Sequence, residues 1–504
     1  MFNFFRKREE APIKKIGIRK HRKVFVDKQV EQYTKDLQTR SLGLVGGDRI
    51  DGELARDVIV GSINSAIKGS AYRLFNQGRT LALNTSIGSR YVQLTIDQVI
   101  GTGLTPKTFI MKGDKLDVKA NASIENAFWQ WAGSQKRFSR NGKFNFLECL
   151  KMMEKERVMS GDAFLVMREE GKDLFVSIYS AEYVDWAHCQ KLDNGNVVYQ
   201  GIEYDPDSQR PVAYWFRRRE LWSQSWTGER ERIEASKVLH YFIPATSDAL
   251  RGVTDFLPVI KDIAHLSAFR ETSIIQKRVA ASSMGFIERQ KDDDQFDVDA
   301  EDDNYQPPEI ITDFSPGTIQ ELPSGATIKA IQSSQTGDDF GKFNDAVMTS
   351  ISMGLSAYKT SLTGDTASVN YSAARFGDIM QRNRFKGHQD RLIDTVILPL
   401  FEAFLYHAVL NSKITARMTQ IDNILLNTTI IRPKTESVDP LKDINAEVML
   451  IEKGLKSRSA VIMERGEDPE QTFKQIEAEK SFLNTPVSSD GEKEKEPKAE
   501  TQEE

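Results

Sequence analysis

The sequence predicts an α+β fold, and three observations lead to that prediction. Apolar residues recur every three or four positions, as on a helix face, in long stretches before residue 163 and after residue 252. Between them, residues 163–242 alternate apolar and polar positions or run through β-branched and aromatic residues, which is typical of strands. A chain of 504 residues, 39% of them hydrophobic, is also long enough for roughly three domains.

The first predicted element is helical and follows a basic arm. Nine of the first 25 residues are Lys or Arg, so we expect residues 1–55 to form a partly disordered basic arm. The opening "MFNFFRKREE" turns polar too early for a signal peptide. Helical patterning then runs from about Arg56 to Ala82, and a Gly-Thr-Gly-Leu turn at residues 101–104 precedes an extended segment.

The β segment consists of the runs "AFLVMRE", "LFVSIYS", "VVYQGIEYD" and "PVAYWFR". Asn-Gly and Asp-Pro dipeptides separate them and predict turns. The run "WFRRRELW" allows two interpretations of Arg217, Arg218 and Arg219. These arginines bind phosphate, or they are surface charges that protect a sheet edge from pairing.

Two helices are predicted to bracket a small β module. Apolar spacing predicts a long amphipathic helix from Gly252 to Ser283, with Thr254 or Asp255 as its N-terminal cap. Short strands follow at "MGFIE", "GTIQELP" and "ATIKAIQ". Helical spacing returns in "DDFGKFNDAVMTSISMG".

A polar loop, residues 356–371, carries few charges and leads into a helix from about Ser372 to Leu410. That helix has five basic residues in its first part: Arg375, Arg382, Arg384, Lys386 and Arg391. Its apolar run Val396 to Leu410 contains Pro399 and is too short to span a bilayer, so a buried helix and no membrane contact are predicted. A short strand at "NTTIIRP", a C-terminal helical pair and a disordered acidic tail, residues 481–504, complete the chain.

Signatures of catalysis and metal binding are weak. In "GTGLTPKT" Pro106 replaces the second glycine of a phosphate-binding loop, so we expect a turn that leads into a strand. The six histidines are far apart in the sequence, and two cysteines without close spacing predict a reducing compartment and no disulfide. The acidic run of residues 292–304 has Asp302 where a calcium loop needs glycine. The sequence therefore predicts no enzyme, no cofactor and no metal.

Several motifs, in order, carry a resemblance to a known family. They are "RLFNQGRTLALN", "VIGTGL", "SGDAFLVM", "GIEYDPDSQRPVAYWF", "VLHYFIPATSDALRGVTDFLPVI", "FSPGTIQELPSGATI", "GLSAYKTSLTGDTASVNYSAAR" and "EVMLIEKGLKSRSAVIMERGEDPEQTFKQ". From residue 56 to residue 480 the chain resembles tailed-phage portal proteins of the lambda-type family. Linked motifs in a fixed order are far more specific than any single one.

The resemblance implies a portal fold with a helical wing, long stem helices, a small α/β clip, a channel loop and a helical C-terminal crown. The implied parts are the wing (56–251), the first stem helix (252–283), the clip (284–335), the second stem helix (336–355), the tunnel loop region (356–371), a long helix and return to the wing (372–440) and the crown (441–480).

The same resemblance marks candidate sites. Candidate DNA-channel residues are Thr363, Gly364, Thr366, Ser368, Asn370, Tyr371 and Arg375. Candidate docking residues of the clip are Phe286, Glu288, Thr318, Gln320 and Glu321. Small hydroxyls and amides suit a channel because they contact phosphates without holding them as lysines would. The alternative for the loop is an ordinary polar turn between two helices.

The implied function is that of a head-tail connector at the portal vertex of a virion, present in the host cytoplasm during assembly. Such a homododecameric ring nucleates head assembly with the major capsid protein and scaffold and docks the terminase large subunit. It conducts double-stranded DNA without sequence specificity in packaging and ejection, and it joins the head to an adaptor protein of the tail. The alternative is a DNA-processing enzyme of the packaging machinery that uses the acidic run as a divalent-metal site.

Overall fold

A computed structural model describes residues 62–113, 115–281, 285–289, 326–330, 337–366, 370–434 and 440–483. Helices and strands are both abundant in these residues, which confirms the predicted α+β class. The described residues of 1–94, 154–164 and 179–384 form one compact unit, and those of 95–153, 165–178 and 385 onwards form a second. The predicted basic arm, the acidic run and the tail after residue 483 lie outside the described residues.

The helices vary from one turn to six. They are α1 (Ile63–Asn84), α2 (Ser86–Val99), α3 (Val118–Ala132), α4 (Gln135–Phe138), α5 (Phe146–Ser160), α6 (Ile260–Ala281), α7 (Gly337–Gly354), α8 (Lys359–Thr363), α9 (Tyr371–Leu392), α10 (Leu398–Leu410), α11 (Ile421–Leu426), α12 (Pro440–Glu452), α13 (Arg458–Glu464) and α14 (Pro469–Leu483). The patterning of "DDFGKFNDAVMTSISMG" therefore forms a helix, α7, as predicted.

The strands are short except around the predicted β segment. They are β1 (Thr105–Thr108), β2 (Met111–Lys112), β3 (Lys115–Leu116), β4 (Asp162–Glu170), β5 (Asp173–Ser180), β6 (Gln190–Lys191), β7 (Val197–Tyr199), β8 (Ile202–Tyr204), β9 (Pro211–Arg219), β10 (Trp226–Glu234), β11 (Val238–Phe242), β12 (Gly285–Arg289), β13 (Ala326–Ala330) and β14 (Thr428–Ile431).

The β segment folds into two sheets. One is antiparallel, in the order β10-β9-β8-β7-β6, and the other has the order β11-β4-β5. The remaining strands pair as β1-β14, β2-β3 and β12-β13. Gly195, with φ +89°, occupies the predicted Asn-Gly turn between β6 and β7, where a left-handed backbone favours glycine.

The helix expected from Gly252 begins later, at Ile260, after a turn of 3₁₀-helix over Leu257–Val259. Thr254 Oγ1 accepts a hydrogen bond from Phe256 N–H at 3.3 Å, so it caps the turn before α6 rather than α6 itself. Thr254 Oγ1 donates a hydrogen bond to the carbonyl of Val158 at 2.9 Å. The carboxylate of Asp255 accepts a hydrogen bond from Arg157 at 2.7 Å. The residues before α6 are thus fixed by tertiary contacts in addition to their 3₁₀ hydrogen bonds.

The C-terminal helical pair of the prediction is a set of three helices, α12, α13 and α14. Gly454 and Gly466, with φ of +70° and +76°, follow α12 and α13. Gly454 N–H bonds the carbonyl of Ile451 at 3.0 Å, and Gly466 N–H bonds that of Met463 at 3.0 Å. Left-handed glycines of this kind end helices, which explains the extra break.

Helices α9 and α10 are continuous through a π-helical turn at Ile393–Ile397. This turn precedes Pro399, which has no N–H and would clash with a carbonyl in regular α-helix, so the wider turn accommodates it. The continuous helix Ser372–Leu410 has the bounds that the sequence predicts, and it could cross a membrane by length and composition alone. More than half of its most apolar window is buried within the protein, as in a core helix.

The core of the second unit is aromatic. The Phe128 ring lies 5.4 Å from that of Phe146 and 5.3 Å from those of Phe401 and Phe404, edge to face in each case. Such pairs stabilise a core beyond their buried area. The predicted burial of the Val396 to Leu410 run is therefore confirmed by residues of α10.

Candidate functional site

Helices α6 and α7 pack antiparallel, and this places the candidate loop. Phe269, midway along α6, stacks on Phe340, early in α7, with ring centroids 5.4 Å apart. Asp262, early in α6, accepts a hydrogen bond from Ser350, late in α7, at 2.7 Å. Strands β12 and β13 adjoin the end of α6 and the start of α7. The loop after α7 therefore lies at the opposite end of this helix pair.

A buried ion network holds the turn that leads into α6. Asp255 accepts hydrogen bonds from Arg157 at 2.7 and 3.0 Å and from Tyr91 Oη at 3.0 Å. Arg157 also donates to Glu154 at 2.8 Å, and Tyr241 Oη donates to Glu154 at 2.7 Å. Burial and the neighbouring Asp255 carboxylate both raise the pKa of Tyr91, so its hydroxyl remains a donor.

A second buried cluster surrounds Asp162 at the start of β4. Arg251 Nε donates to Asp162 Oδ2 at 2.6 Å, Gly252 N–H donates to Oδ1 at 2.6 Å, and His240 Nε2 lies 3.0 Å from Oδ1. Burial alone would raise the pKa of Asp162, but Arg251 and His240 outweigh burial and hold that pKa below its ordinary value. Gly161, at φ +90°, packs so closely that a Cβ would lie 2.5 Å from the Gly252 carbonyl carbon.

Helix α7 ends in a left-handed residue that is not glycine. Ser356 has φ +46°, and the N–H of Ala357 reaches back to the carbonyl of Ser352 at 3.0 Å. This pattern resembles a Schellman motif, in which glycine is the usual left-handed residue. A serine in this conformation carries roughly 1 kcal/mol of strain. The chain therefore turns sharply as it leaves α7.

The segment after this turn is held by side chains of α9 and α2. The N–H of Tyr358 donates to Gln381 Oε1 at 2.8 Å, and Gln381 is buried. A Cβ on Gly377 would lie 2.5 Å from ring carbons of Tyr358, so the ring packs on the glycine backbone. Arg90 Nε donates to the carbonyl of Ser361 at 2.9 Å. We call residues 357–363 the loop root.

The basic residues of α9 are partly used within the chain. Arg384 donates to the carbonyl of Leu355 at the end of α7. Arg382 forms an ion pair with Asp378, one turn earlier, at 2.6 Å. Arg375 is half-buried. The basic character of this helix therefore serves local structure at several positions.

The candidate residues Thr363, Gly364 and Thr366 are exposed. Thr363 Oγ1 donates to the carbonyl of Lys359 at 3.1 Å and accepts from Asp365 N–H at 3.2 Å. Gly364 ends α8 with φ +72°. Asp365, which we did not select from the sequence, is exposed between Gly364 and Thr366 and places a carboxylate on the loop.

The second half of the loop region leads into α9. Asn370 Oδ1 accepts a hydrogen bond from Ala373 N–H at 2.8 Å, so Asn370 caps α9. Tyr371 is the first residue of that helix. Ser368 lies outside the described residues. Asn370 thus has a structural role in addition to any contact it makes through its exposed side.

Two of the five candidate docking residues lie within the described residues. Phe286 and Glu288 are in β12, where they pair with Lys329 and Thr327 of β13. Thr318, Gln320 and Glu321 lie outside the described residues. The strand pairing agrees with the short strands that the sequence predicted at "MGFIE" and "ATIKAIQ".

The segment "GTGLTPKT", which weakly matches a phosphate-binding loop, forms a turn that leads into a strand, as expected. Gly101 and Gly103 have φ of +50° and +138°, and β1 follows. Lys107 on β1 is buried between Glu125, at 2.9 Å, and Asp468, at 2.7 Å. This lysine is therefore engaged by two carboxylates of its own unit rather than by phosphate.

Beside the three arginines of "WFRRRELW", strand β9 pairs with β10, whereas β8 pairs only with residues 211–214 of β9. Arg217 and Arg219 stack on Trp226 at 4.0 and 4.3 Å from a ring centroid. Arg218 pairs with Glu229 at 3.3 Å. These contacts reinforce the β9-β10 hairpin. In the described ranges, no group of three or more His, Cys, Asp or Glu side chains is placed to hold a metal ion.

The groups described above position helices, strands and a loop. The family model described as phage portal protein, lambda family, matches residues 55–389. The chain therefore belongs to the lambda family of phage portal proteins, a structural rather than enzymatic family.

Two curated relatives are similar to this chain. A probable portal protein of Halomonas phage phiHAP-1 is 22% identical over 446 residues, which cover 87% of this chain and 86% of the relative. A portal protein of Escherichia phage N15 is 22% identical over 294 residues, 53% of this chain and 56% of the relative.

Solved structures of gene transfer agent particles are more distant. The neck of an empty particle, computed with C6 symmetry, gives a TM-score of 0.41 at 14% identity and covers 78% of this chain and 93% of that chain. The neck of a native particle, computed with C12 symmetry, gives 0.41 at 14% identity, with 78% and 94% covered. At these TM-scores the likeness supports no structural detail.

Proposed function

We propose that this protein assembles into a closed, homododecameric ring at one vertex of a phage capsid and conducts double-stranded DNA through a central channel. The observation that carries the proposal is the family match over residues 55–389. A ring forms when each copy uses one surface to bind a different surface of the next copy and the rotation closes. The protein is then a component of the virion that is made and assembled in the host cytoplasm.

In this proposal the helix pair α6 and α7 is the stem, and the paired strands β12 and β13 belong to the clip. Residues 56–251 form the wing, and residues 441–480 form the crown. The clip docks the terminase large subunit and later the head-tail adaptor, through Phe286, Glu288, Thr318, Gln320 and Glu321. The major capsid protein and scaffold surround the ring during head assembly.

The loop after α7 is the part that meets DNA. Thr366 is exposed and offers a hydroxyl, and Asp365 adds a negative charge that keeps phosphates from binding tightly. Arg382 and Arg384 on α9 are engaged by their own chain. A loop with hydroxyls and a carboxylate, and without free lysines at its described positions, lets DNA slide because each contact is weak and exchangeable.

Electron microscopy and mass measurement of the purified full chain test the ring. We expect a closed ring with a central channel. A chain that remains monomeric at all protein and salt concentrations would overturn the proposal. ATPase or nuclease activity that requires Mg²⁺ and is lost on deletion of residues 292–304 would favour the DNA-processing enzyme instead.

A Thr366→Lys variant tests the channel role of the loop. Every subunit then adds one positive charge at the same level, so DNA binding should strengthen at low salt and depend more steeply on salt. Thr80→Lys, the same change at an exposed position of α1, is the matched control. Equal DNA affinity of the two variants across salt concentrations would show that the loop does not face DNA.

A further inference from the structure

We propose that Gln381 and Gly377 of α9 are positioning residues that clamp the loop root, residues 357–363, and that the loop pivots at Gly364. The clamp is inferred from contacts within this chain. Its consequence for DNA, that the loop reaches the channel at a set height, rests on the proposed function.

The first component of the clamp is a buried hydrogen bond. Tyr358 stands immediately before α8, so its N–H has no partner in that helix and is bonded by Gln381 Oε1 at 2.8 Å. Gln381 is only 4% exposed. A buried amide side chain is costly unless it is hydrogen-bonded, so this contact strongly favours one position of the root against α9.

The second component is steric. The ring of Tyr358 occupies the space that a side chain on Gly377 would need, since a Cβ there would be 2.5 Å from two ring carbons and 2.7 Å from a third. Glycine at this helical position lowers helix stability relative to alanine. Close approach of the ring explains its presence, and the distance between the root and α9 is thereby set.

Further contacts hold both ends of the root. Arg384 donates to the carbonyl of Leu355 just before it, and Arg90 holds the carbonyl of Ser361 at 2.9 Å. Beyond the root, Gly364 N–H donates to the carbonyl of Thr360 at 2.8 Å and Asp365 N–H donates to Thr363 Oγ1 at 3.2 Å. Gly364 has φ +72°, and nothing lies within 4 Å of the position that its Cβ would occupy. A left-handed glycine in open space next to a held segment is where the backbone turns most easily.

Spin labels on the full chain test the clamp. Thr363→Cys and Thr366→Cys place labels on either side of Gly364, in a Cys189→Ser background because Cys189 is exposed while Cys149 is buried. We expect the label at position 363 to be less mobile than the label at position 366.

Two matched pairs of variants then address the two components. Gln381→Leu should raise the mobility of the label at position 363, whereas Gln381→Glu keeps an acceptor oxygen and should leave that mobility unchanged. Gly377→Ala should also mobilise position 363. Tyr358→Ala removes the ring that clashes with the Cβ introduced by Gly377→Ala. The double variant should therefore be no less stable than Gly377→Ala alone.

The outcomes separate the clamp from the portal proposal. Equal label mobility in Gln381→Leu and Gln381→Glu, or a Gly377→Ala spectrum identical to that of the parent, would overturn the clamp even if rings form normally. Absence of rings would overturn the portal proposal while the label results still decide the clamp. If the clamp and the portal proposal are both correct, Gln381→Leu rings keep their mass, but the salt dependence of their DNA binding changes. The salt dependence of Gln381→Glu rings stays that of the parent.

Discussion

Replacing Asp162 by Asn removes one negative charge from a cluster that has almost no access to water. Arg251, 1% exposed, would keep its positive charge and lose its ionic partner. Breaking a buried pair from one side costs about 3–5 kcal/mol, and the remaining amide oxygen of Asn favours the lower end of that range. For a domain of this size each kcal/mol lowers Tm by roughly 2–4 °C, so the expected loss is roughly 6–12 °C.

Thermal unfolding followed by circular dichroism measures this loss, with Asp207→Asn as the matched control. Asp207 is exposed, and its substitution should change the free energy of unfolding by less than about 0.5 kcal/mol. Equal Tm values for the two variants would refute the reasoning, because they would show that the charge of Asp162 is not what stabilises the first unit.

The pH dependence of the same comparison has a defined sign. The pKa of Asp162 is depressed in the folded protein. Its stabilisation is therefore fully present above the unfolded pKa of about 3.9 and is lost as the pH falls through the lower folded pKa. The Tm difference between the parent and Asp162→Asn should shrink below pH about 4.

Two further predictions concern other buried groups. Lys107→Met leaves Glu125 and Asp468 without their shared cation, so it should destabilise the second unit by about 3 kcal/mol or more and speed proteolysis of the C-terminal helices; unchanged proteolysis rates would contradict this. Burial raises the pKa of the Cys149 thiol, whereas Cys189 is exposed. A thiol reagent should therefore modify one cysteine per chain in the native state and two after denaturation, and rapid native modification of Cys149 would disprove its burial.

Local patterns in the sequence predicted much of the fold because they reflect local physics. The apolar period of "DDFGKFNDAVMTSISMG" and the Asn-Gly turn at Gly195 depend on residues close together in the chain. Prediction from local patterns failed where residues far apart in the sequence interact. The start of α6 moved to Ile260 because Thr254 and Asp255 are bound by residues of another helix.

For the candidate site, too, the sequence predicted some features and only the structure showed others. The polar composition of the loop and its flanking helices were visible in the sequence, and Thr363, Gly364 and Thr366 are exposed as a contact surface requires. The roles of Gln381 and Gly377 were not visible. An amide and a glycine in a helical pattern have no distinctive spacing, and Tyr358, the residue they contact, is about twenty residues away.

The sequence by itself determined the order of helices and strands and, through motifs in a fixed order, the resemblance to portal proteins. Periodicity and turn chemistry are properties of neighbouring residues, so they can be read before the chain folds. Only the tertiary structure decided which charges are buried and paired. Asp162 and Arg251 are unremarkable in the sequence, and their ion pair exists because folding brings β4 and the residues after β11 together and excludes water from both.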